Sequence, residues 1–310
     1  MEYRKLGNSG LKVSEVGLGG NNFGWWADEQ ASIPVVHAAI DLGINFIDTA
    51  DIYDQGHSEE YIGEALKGKR TNVVIATKFA NPMGEDANQR GTSRRYIMQA
   101  VEASLRRLQT DYIDLYQIHM PDATTPIEET LRALDDLIHE GKVRYIGCSN
   151  FAAWQLCEAL WTSRTNNLHS FVSVQPMYNI LARQVERELM PCCQDYGIGI
   201  IPYSPLASGF LTGKYRKGEK LPDGARLSGP DPRFQRMFTD ENWNRLEKLE
   251  NYAREREHGI GELAIAWLLA KPMLATVIAG ARKIEQVTAN VAAGDWKLTA
   301  EEVAEIEALL

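Results

Sequence analysis

The chain has 310 residues, of which 44% are hydrophobic and 24% charged, as is usual for a globular protein with a large core. Its formal net charge of −9 argues against nucleic acids and anionic membrane surfaces as partners, because both require a basic face. No apolar run approaches the ~20 residues that span a bilayer. The opening segment MEYRKLGNSG lacks the apolar stretch of a secretory signal. We therefore expect a cytoplasmic protein.

The cysteines show neither C-x-x-C spacing nor the density of a disulfide framework. They are Cys148, Cys157, Cys192 and Cys193. In a reducing compartment the expected state is four free thiols, with neither a bound metal nor a disulfide. The adjacent pair 192–193 has no role that the sequence assigns.

Short apolar segments rich in β-branched residues alternate with longer amphipathic segments along most of the chain. The predicted strands are 15–19, 44–48, 73–78, 112–119, 143–149, 171–175, 199–204 and 276–280. The predicted helices are 32–42, 58–66, 92–108, 127–140, 153–164, 185–196, 242–257, 261–270, 284–292 and 300–310. Ser32 and Ser58 are expected to cap the first two helices at their N-termini.

This strict alternation of strand and helix predicts parallel strands joined by right-handed crossovers. Eight such units in a chain of this length favour a closed (β/α)8 TIM barrel, with residues 1–310 as a single domain. Two additions are predicted. A hairpin turns around residues 8–10 before the first barrel strand. A long loop, residues 206–240, follows the seventh strand, and loops of that length usually serve a function.

Polar residues of different types stand at the carboxyl ends of consecutive predicted strands. Asp48, Lys78 and His119 end the second, third and fourth strands, and Tyr53 follows on the loop after the second. In a barrel these ends share one mouth, where active sites lie. We therefore expect the four side chains to converge.

Their chemistry suits reduction of a carbonyl group. Hydride arriving at a carbonyl carbon builds negative charge on the oxygen, which then needs a proton donor such as Tyr53. The ammonium of Lys78 would lower the pKa of that phenol, and Asp48 would keep Lys78 charged and aimed. His119 would polarise the carbonyl through a second hydrogen bond.

Each residue taken singly also has a plain structural interpretation. Asp48 could be a cap, Lys78 a solvated strand end, His119 a strand cap and Tyr53 a loop aromatic. Their joint occurrence at consecutive strand ends favours the catalytic interpretation.

Four sequence motifs resemble those of the aldo-keto reductase superfamily, in the same order. They are DTADIYDQGHSE at 48–59, VIATK at 74–78, DYIDLYQIH at 111–119 and GKVRYIGCSNF at 141–151. The resemblance extends from the N-terminal hairpin to about residue 290. It implies an NADP-dependent carbonyl reductase or alcohol dehydrogenase that interconverts aldehydes or ketones, sugar-like carbonyls included, with alcohols. The implied catalytic tetrad is Asp48, Tyr53, Lys78 and His119.

The same resemblance implies a cofactor site. Ser149, Asn150 and Gln175 would hydrogen-bond the nicotinamide carboxamide, while Tyr203 would stack on the ring. The loop containing Ser204, Leu206 and Ser208 would hold the pyrophosphate. The adenosine end would be held by Gly280, Arg282, Gln286 and Asn290. The basic pair Arg282–Lys283 favours NADP(H) over NAD(H), because a guanidinium suits a 2′-phosphate, although dual specificity stays open.

Apolar residues near the same strand ends predict the substrate pocket. Trp25, Trp26, Phe79 and Met120 are expected to form its walls, with the long loop after strand seven. The glycine-rich turn at 17–22 is not a dinucleotide-binding fingerprint, because Asn22 stands where the third glycine belongs. The expected partner is a small carbonyl or alcohol, and neither a metal nor an oligomer is required.

Three other functions are compatible with parts of the pattern. A Schiff-base aldolase would use Lys78, but such a lysine must lose its proton and Asp48 would keep it charged. A cofactor-holding regulatory subunit of the same fold would show little turnover. A doubly wound dinucleotide enzyme would place Asp48 on the ribose, but it lacks the third glycine and a second domain.

Overall fold

The N-terminal hairpin is the first element of the computed structural model, which describes residues 1–229 and 236–310. Strand β1 (Tyr3–Lys5) pairs antiparallel with β2 (Lys12–Ser14). The turn between them is closed by Ser9, whose hydroxyl donates to the Leu6 carbonyl at 2.7 Å. The predicted hairpin is therefore confirmed.

A parallel eight-stranded sheet forms the centre of the described structure. Its strands are β3 (Val16–Gly19), β4 (Phe46–Asp48), β5 (Val74–Phe79), β6 (Ile113–Ile118), β7 (Val143–Ser149), β8 (Ser173–Gln175), β9 (Gly199–Ile200) and β10 (Val277–Gly280). They follow one another in chain order, and β10 pairs with β3.

The sheet closes on itself between β9 and the segment before β10. The amide of Ile200 donates to the Met273 carbonyl at 3.2 Å, and the amide of Ala275 donates to the Ile200 carbonyl at 2.9 Å. The predicted (β/α)8 barrel is thus confirmed. Strand β9 is shorter than its predicted range of 199–204 because Pro202 lacks the N–H that a longer ladder needs.

Helices flank the strands in alternation. In the described residues they are α1 (Glu29–Asp41), α2 (His57–Ala65), α3 (Arg94–Leu108), α4 (Ile127–His139), α5 (Ala153–Thr165), α6 (Leu189–Tyr196), α7 (Asp240–Arg254), α8 (Ile260–Leu269), α9 (Ile284–Ala292) and α10 (Ala300–Ala308). None of the helices described is long and apolar enough to cross a membrane.

The two predicted serine caps are wrong. The N-cap of α1 is Asp28, whose carboxylate accepts an amide of the first turn at 2.9 Å. Ser32 is buried and donates to the Ala27 carbonyl at 3.2 Å. Ser58 lies inside α2 and donates to the Gly20 carbonyl at 2.9 Å. Both hydroxyls therefore satisfy buried carbonyl groups instead of helix ends.

The hairpin closes the lower end of the barrel. Leu6 and Val13 are fully buried and pack with side chains on or next to the barrel strands, namely Phe46, Val74, Ala76, Leu115, Ile201, Ala275 and Ile278. The amino ends of the strands are thereby covered, and the carboxyl ends remain available for a site.

The predicted loop at 206–240 contains local structure. Short 3-10 turns occupy Ala207–Thr212 and Arg226–Ser228, and α7 begins at Asp240. Residues 230–235 lie outside the described part of the chain.

Candidate active site

A cavity of about 530 Å³ opens at the carboxyl ends of the barrel strands. Three members of the predicted tetrad, Asp48, Tyr53 and His119, line it directly. The fourth, Lys78, is fully buried beneath them on β5. The structure therefore brings together the four residues that the sequence singled out.

Lys78 is the centre of this group. Its ammonium donates to Asp48 Oδ1 at 2.5 Å, to the Thr49 carbonyl at 2.8 Å and to the Tyr53 hydroxyl at 3.4 Å. A cation thus stands between a carboxylate and a phenol, which is the arrangement that stabilises a phenolate.

Asp48 is held by two amide side chains as well. Gln175 donates to Asp48 Oδ2 at 2.8 Å, and Gln117 donates to the same oxygen at 3.3 Å. Gln117 was missed by the sequence analysis. It precedes His119 by two residues on β6, so strand alternation could have placed both side chains on the inner face.

The ionisation of the tetrad follows from burial and from Lys78. Burial raises the pKa of Tyr53 above its usual value, although the charge of Lys78 opposes that rise. Burial works against the Lys78 ammonium, but Asp48 and Tyr53 together outweigh it, so the pKa of Lys78 is raised. The influence of Lys78 on Tyr53 therefore has the predicted direction, but burial outweighs it and the phenol keeps its proton at neutral pH.

His119 is neutral at physiological pH. Burial and the nearby charge of Lys78 lower the pKa of its imidazole to about 3. The ring meets Tyr53 edge to face, with centroids 5.8 Å apart. Its Nδ1 has no hydrogen-bond partner among the described residues. A neutral imidazole can donate one hydrogen bond to a carbonyl without adding charge.

The second aspartate of the DTAD segment, Asp51, does not join this group. Its carboxyl is buried behind the loop, and its amide donates to the Lys78 carbonyl at 3.1 Å. Burial, with the nearby carboxylate of Glu59, raises the pKa of Asp51 well above its usual value. Asp48 is the carboxylate that contacts Lys78.

The predicted nicotinamide residues also line the cavity, but they are bonded to one another. Asn150 donates to the His119 carbonyl at 3.0 Å and to Ser149 Oγ at 3.0 Å. It accepts the Tyr203 hydroxyl at 2.9 Å. Ser149 Oγ donates to the Gln175 carbonyl at 2.8 Å. Asn150 thus fixes the turn after β7 against its neighbours.

The backbone of the cavity wall is locally strained. Asn150, Ser204, Ala207 and Ser208 have positive φ angles of 61°, 56°, 47° and 56°. Such angles are uncommon outside glycine and cluster at ligand-binding turns. Three of these residues belong to the loop predicted to hold a pyrophosphate, which also contributes Leu206 to the wall.

Three cationic side chains line the cavity. Arg282, predicted from the sequence, is joined by Lys214 and Arg226, which the sequence analysis missed. Burial and the charge of Arg282 lower the pKa of Lys214, as expected for neighbouring cations. Lys214 and Arg226 lie in the loop after β9, whose conformation no local pattern revealed.

Three of the four residues predicted at the adenosine end line the cavity. Gly280 and Gln286 line the cavity with Arg282, and the Gln286 side chain accepts the Arg282 amide at 2.8 Å. Asn290 lies buried on α9 and is not among the described residues of the cavity wall.

One predicted pocket residue is wrong. Phe79 is fully buried and stacks on Tyr116, with ring centroids 4.7 Å apart. It follows Lys78 on β5, so strand alternation turns it towards the helices. Trp26 and Met120 do line the cavity. Trp25 is half exposed beside the mouth, its ring 6.0 Å from that of Tyr53.

Comparison with known proteins identifies the family. A profile of the Aldo/keto reductase family matches residues 15–310. The chain is 38% identical to a probable voltage-gated potassium channel subunit beta from Oryza sativa subsp. japonica, with 100% of this chain and 97% of that protein covered. It is 37% identical to versiconal hemiacetal acetate reductase from Aspergillus parasiticus, with 99% and 96% covered.

A bacterial relative is similarly close. The aldo-keto reductase YhdN from Bacillus subtilis (strain 168) is 38% identical, with 100% of this chain and 94% of that protein covered. The profile match and these full-length identities agree with the barrel and with the four motifs. The chain belongs to the aldo/keto reductase family.

Proposed function

We propose that this protein reversibly reduces aldehydes or ketones to alcohols with NADP(H), and that Tyr53 is the general acid. The observation that carries the proposal is the position of the Lys78 ammonium. It lies 2.5 Å from Asp48 Oδ1 and 3.4 Å from the Tyr53 hydroxyl, at a cavity large enough for ligands.

The tetrad residues have distinct tasks in this reaction. When bound, the nicotinamide dinucleotide supplies the hydride. Tyr53 gives its hydroxyl proton to the carbonyl oxygen, and Lys78 compensates the phenolate that remains. Asp48 keeps Lys78 in place, since the distance between them is 2.5 Å. His119 donates a hydrogen bond to the same carbonyl oxygen as a neutral group.

The cavity wall offers groups that fit such a dinucleotide. Asn150 and Gln175 present amide groups near Tyr53 and His119, and Tyr203 presents an aromatic ring. Lys214, Arg226 and Arg282 present cations that suit phosphate groups, and a 2′-phosphate above all. These cations favour NADP(H), and NAD(H) is expected to be the weaker ligand.

The walls near the tetrad suit an apolar or sugar-like carbonyl. Trp26 and Met120 line the cavity, and Trp25 stands beside Tyr53. Indole rings stack on flat or apolar faces, including those of sugars. The reductase among the relatives acts, by its name, on versiconal hemiacetal acetate.

The first experiment is a titration with NADPH and with NADH, followed by tryptophan fluorescence. We expect tighter binding of NADPH than of NADH. The variant Lys214→Gln is expected to weaken NADPH binding more than NADH binding, because it removes a cation from the wall. Lys220→Gln is the matched control, since Lys220 is highly exposed beside Asp223. Failure of both dinucleotides to bind would refute the proposal.

The alternative is a cofactor-holding regulatory subunit. The potassium channel subunit beta relatives favour it, because their identity is as high as that of the reductases. A panel of aldehydes and ketones with NADPH separates the two functions. Oxidation of NADPH that depends on carbonyl and on Tyr53 supports the enzyme. Tight binding without turnover of any carbonyl supports the regulatory subunit.

A further inference from the structure

Two cysteines lie in contact on neighbouring helices, away from the tetrad. Cys157 is on α5 and Cys192 on α6, and their sulfur atoms are 3.4 Å apart. Both residues are partly exposed to solvent, unlike the other two cysteines. The sequence analysis expected free thiols and could not foresee this pairing, because 35 positions separate the two residues.

We propose that Cys157 and Cys192 are a site of reversible oxidation, at which a hydroperoxide converts the two thiols into an intramolecular disulfide joining α5 to α6. The sulfur atoms need to approach from 3.4 Å to about 2.05 Å, a short movement of two side chains that already face each other. Disulfides in reducing compartments are usually transient and regulatory.

The other thiols do not compete for the oxidant. Cys148 and Cys193 are fully buried, so a dissolved hydroperoxide has no access to them. The contacting pair is therefore the accessible one.

The reaction has two steps. The Cys157 thiolate attacks the terminal oxygen of the hydroperoxide, the O–O bond breaks, and an alcohol leaves with a proton from water. Cys157 is then a sulfenic acid. The Cys192 sulfur attacks the Cys157 sulfur, the S–O bond breaks, and hydroxide leaves as water with the Cys192 proton. Two thiols lose two electrons, and the hydroperoxide gains them. A dithiol reverses the link by exchange.

The pair adjoins the cavity through the first turn of α5. Cys192 Sγ lies 3.9 Å from the Ala153 carbonyl, to which it can donate as a thiol. Ala153 follows Asn150 by three residues, and Asn150 lines the cavity. Oxidation removes the S–H donor and fixes α6 to α5 just behind the turn after β7.

The second step, attack by Cys192, should be slow at neutral pH. Burial and the hydrogen bond with Cys157 raise the pKa of the Cys192 thiol to about 12. The thiolate is the reactive form, so the rate of disulfide formation is expected to increase as the pH rises.

The test uses the full chain, reduced and then exposed to hydrogen peroxide. After remaining thiols are blocked with N-ethylmaleimide, mass spectrometry is expected to show the loss of two hydrogens and two blocked thiols. Peptide mapping is expected to recover Cys157 linked to Cys192, and dithiothreitol should separate them. Cys157→Ser and Cys192→Ser are each expected to prevent the link, whereas Cys193→Ala, the matched control, is expected to retain it.

Other products would overturn the proposal. These are a sulfinic acid at Cys157 without any link, a link that includes Cys148 or Cys193, a link between two chains, or no oxidation at all. Peptide mapping of the oxidised protein without any substitution decides between these outcomes, so the test does not depend on the folding of a variant.

Discussion

Lys78 carries a charge with no exposed surface, and the residues around it explain how the barrel tolerates that charge. A buried ammonium costs several kcal/mol unless it is paired and hydrogen-bonded. Asp48 supplies the opposite charge, and the Thr49 carbonyl accepts a second hydrogen bond from the ammonium. The third hydrogen bond of the ammonium is to the Tyr53 hydroxyl, which is the group that takes part in the proposed reaction. In the proposed reaction, this buried ion pair therefore lies beside the phenol that gives up its proton.

Removal of the Tyr53 hydroxyl tests this arrangement. We expect Tyr53→Phe to lower the carbonyl reduction rate by about 10²–10⁴-fold, the range for loss of a general acid. NADPH affinity is expected to stay nearly unchanged, because the ring and the cations of the wall remain. Single-turnover kinetics and fluorescence titration measure the two quantities. Tyr61→Phe, in α2 and outside the described cavity lining, is the control and should retain turnover. Reduction at the original rate in Tyr53→Phe would remove Tyr53 from its proposed role.

His119 gives a prediction about pH. Burial and Lys78 lower the pKa of its imidazole to about 3, so the ring is expected to stay neutral from about pH 5 to pH 8. The chemical shifts of its ring nitrogens should therefore not titrate over that range, and the reduction rate should show no step from His119. A ring that takes up a proton near pH 6 would contradict the neutral donor.

At this scale the sequence predicted the reactive residues better than their neighbours. Asp48, Tyr53, Lys78 and His119 are brought together because each lies at or shortly after the carboxyl end of a barrel strand, and strand ends are visible in the hydrophobic pattern. The bond from Tyr203 to Asn150 depends on a turn with φ of 61°, which no residue-type pattern shows. Phe79 was wrongly predicted to line the pocket because it follows Lys78, whereas neighbouring residues of a strand point to opposite faces.

Among the connecting elements, the loop between β6 and α4 determines where His119 and Met120 are held. Asp122 organises this loop by accepting the Thr92 amide at 2.9 Å and the Thr124 amide at 2.8 Å. Partial burial alone would raise the pKa of Asp122. The hydrogen bonds from Thr124 and Thr92 outweigh that effect and lower the pKa to about 2.

This lowered pKa predicts a pH-dependent contribution to stability. The carboxylate stabilises the folded state above about pH 4, its ordinary unfolded range, and loses that effect as the pH falls through about 2. We expect Asp122→Asn to lower the free energy of unfolding at neutral pH. The difference from the unmodified protein should shrink as the pH is lowered from about 5. Urea unfolding at several pH values measures it. A difference that stays constant down to pH 3 would contradict the assignment.

Element types were predicted well, whereas element ends were not. The first two helices begin earlier than predicted, at Glu29 and His57, because the serines chosen as caps satisfy buried carbonyls. A capping pattern in the sequence depends only on residue type, so it cannot distinguish a serine that caps a helix from a serine that is buried. The positions of Lys214 and Arg226 were equally hidden, since an irregular loop brings them to the cavity wall.

On the scale of the whole molecule, the hairpin and the barrel share one interior. We expect Leu6→Ala to lower the free energy of unfolding by about 2–5 kcal/mol, because Leu6 is fully buried under the barrel strands. NADPH affinity should change little, since the cavity lies at the opposite strand ends. Leu42→Ala, at a partly exposed leucine, is the control and should cost much less. Equal losses in the two variants would show that the hairpin does not seal the barrel.

The overall architecture was the most predictable feature. Strand and helix periods alternate in the sequence, and parallel strands with right-handed crossovers leave few other arrangements for eight units. The closing contact between Ile200 and residues 273–275 was not predictable, because it spans more than 70 positions and involves only backbone atoms.

The cationic part of the cavity lies in a chain whose net charge is −9, and this contrast affects how fast an anion arrives and departs. At physiological ionic strength the Debye length is about 8 Å, so salt shields an approaching anion from the acidic surface. The same salt weakens the attraction of Lys214, Arg226 and Arg282 once the anion has bound. Added salt is therefore expected to raise the association and dissociation rate constants together. The affinity for an anionic ligand is then expected to vary less with ionic strength than it would if the three cations lay in a protein without a net negative charge.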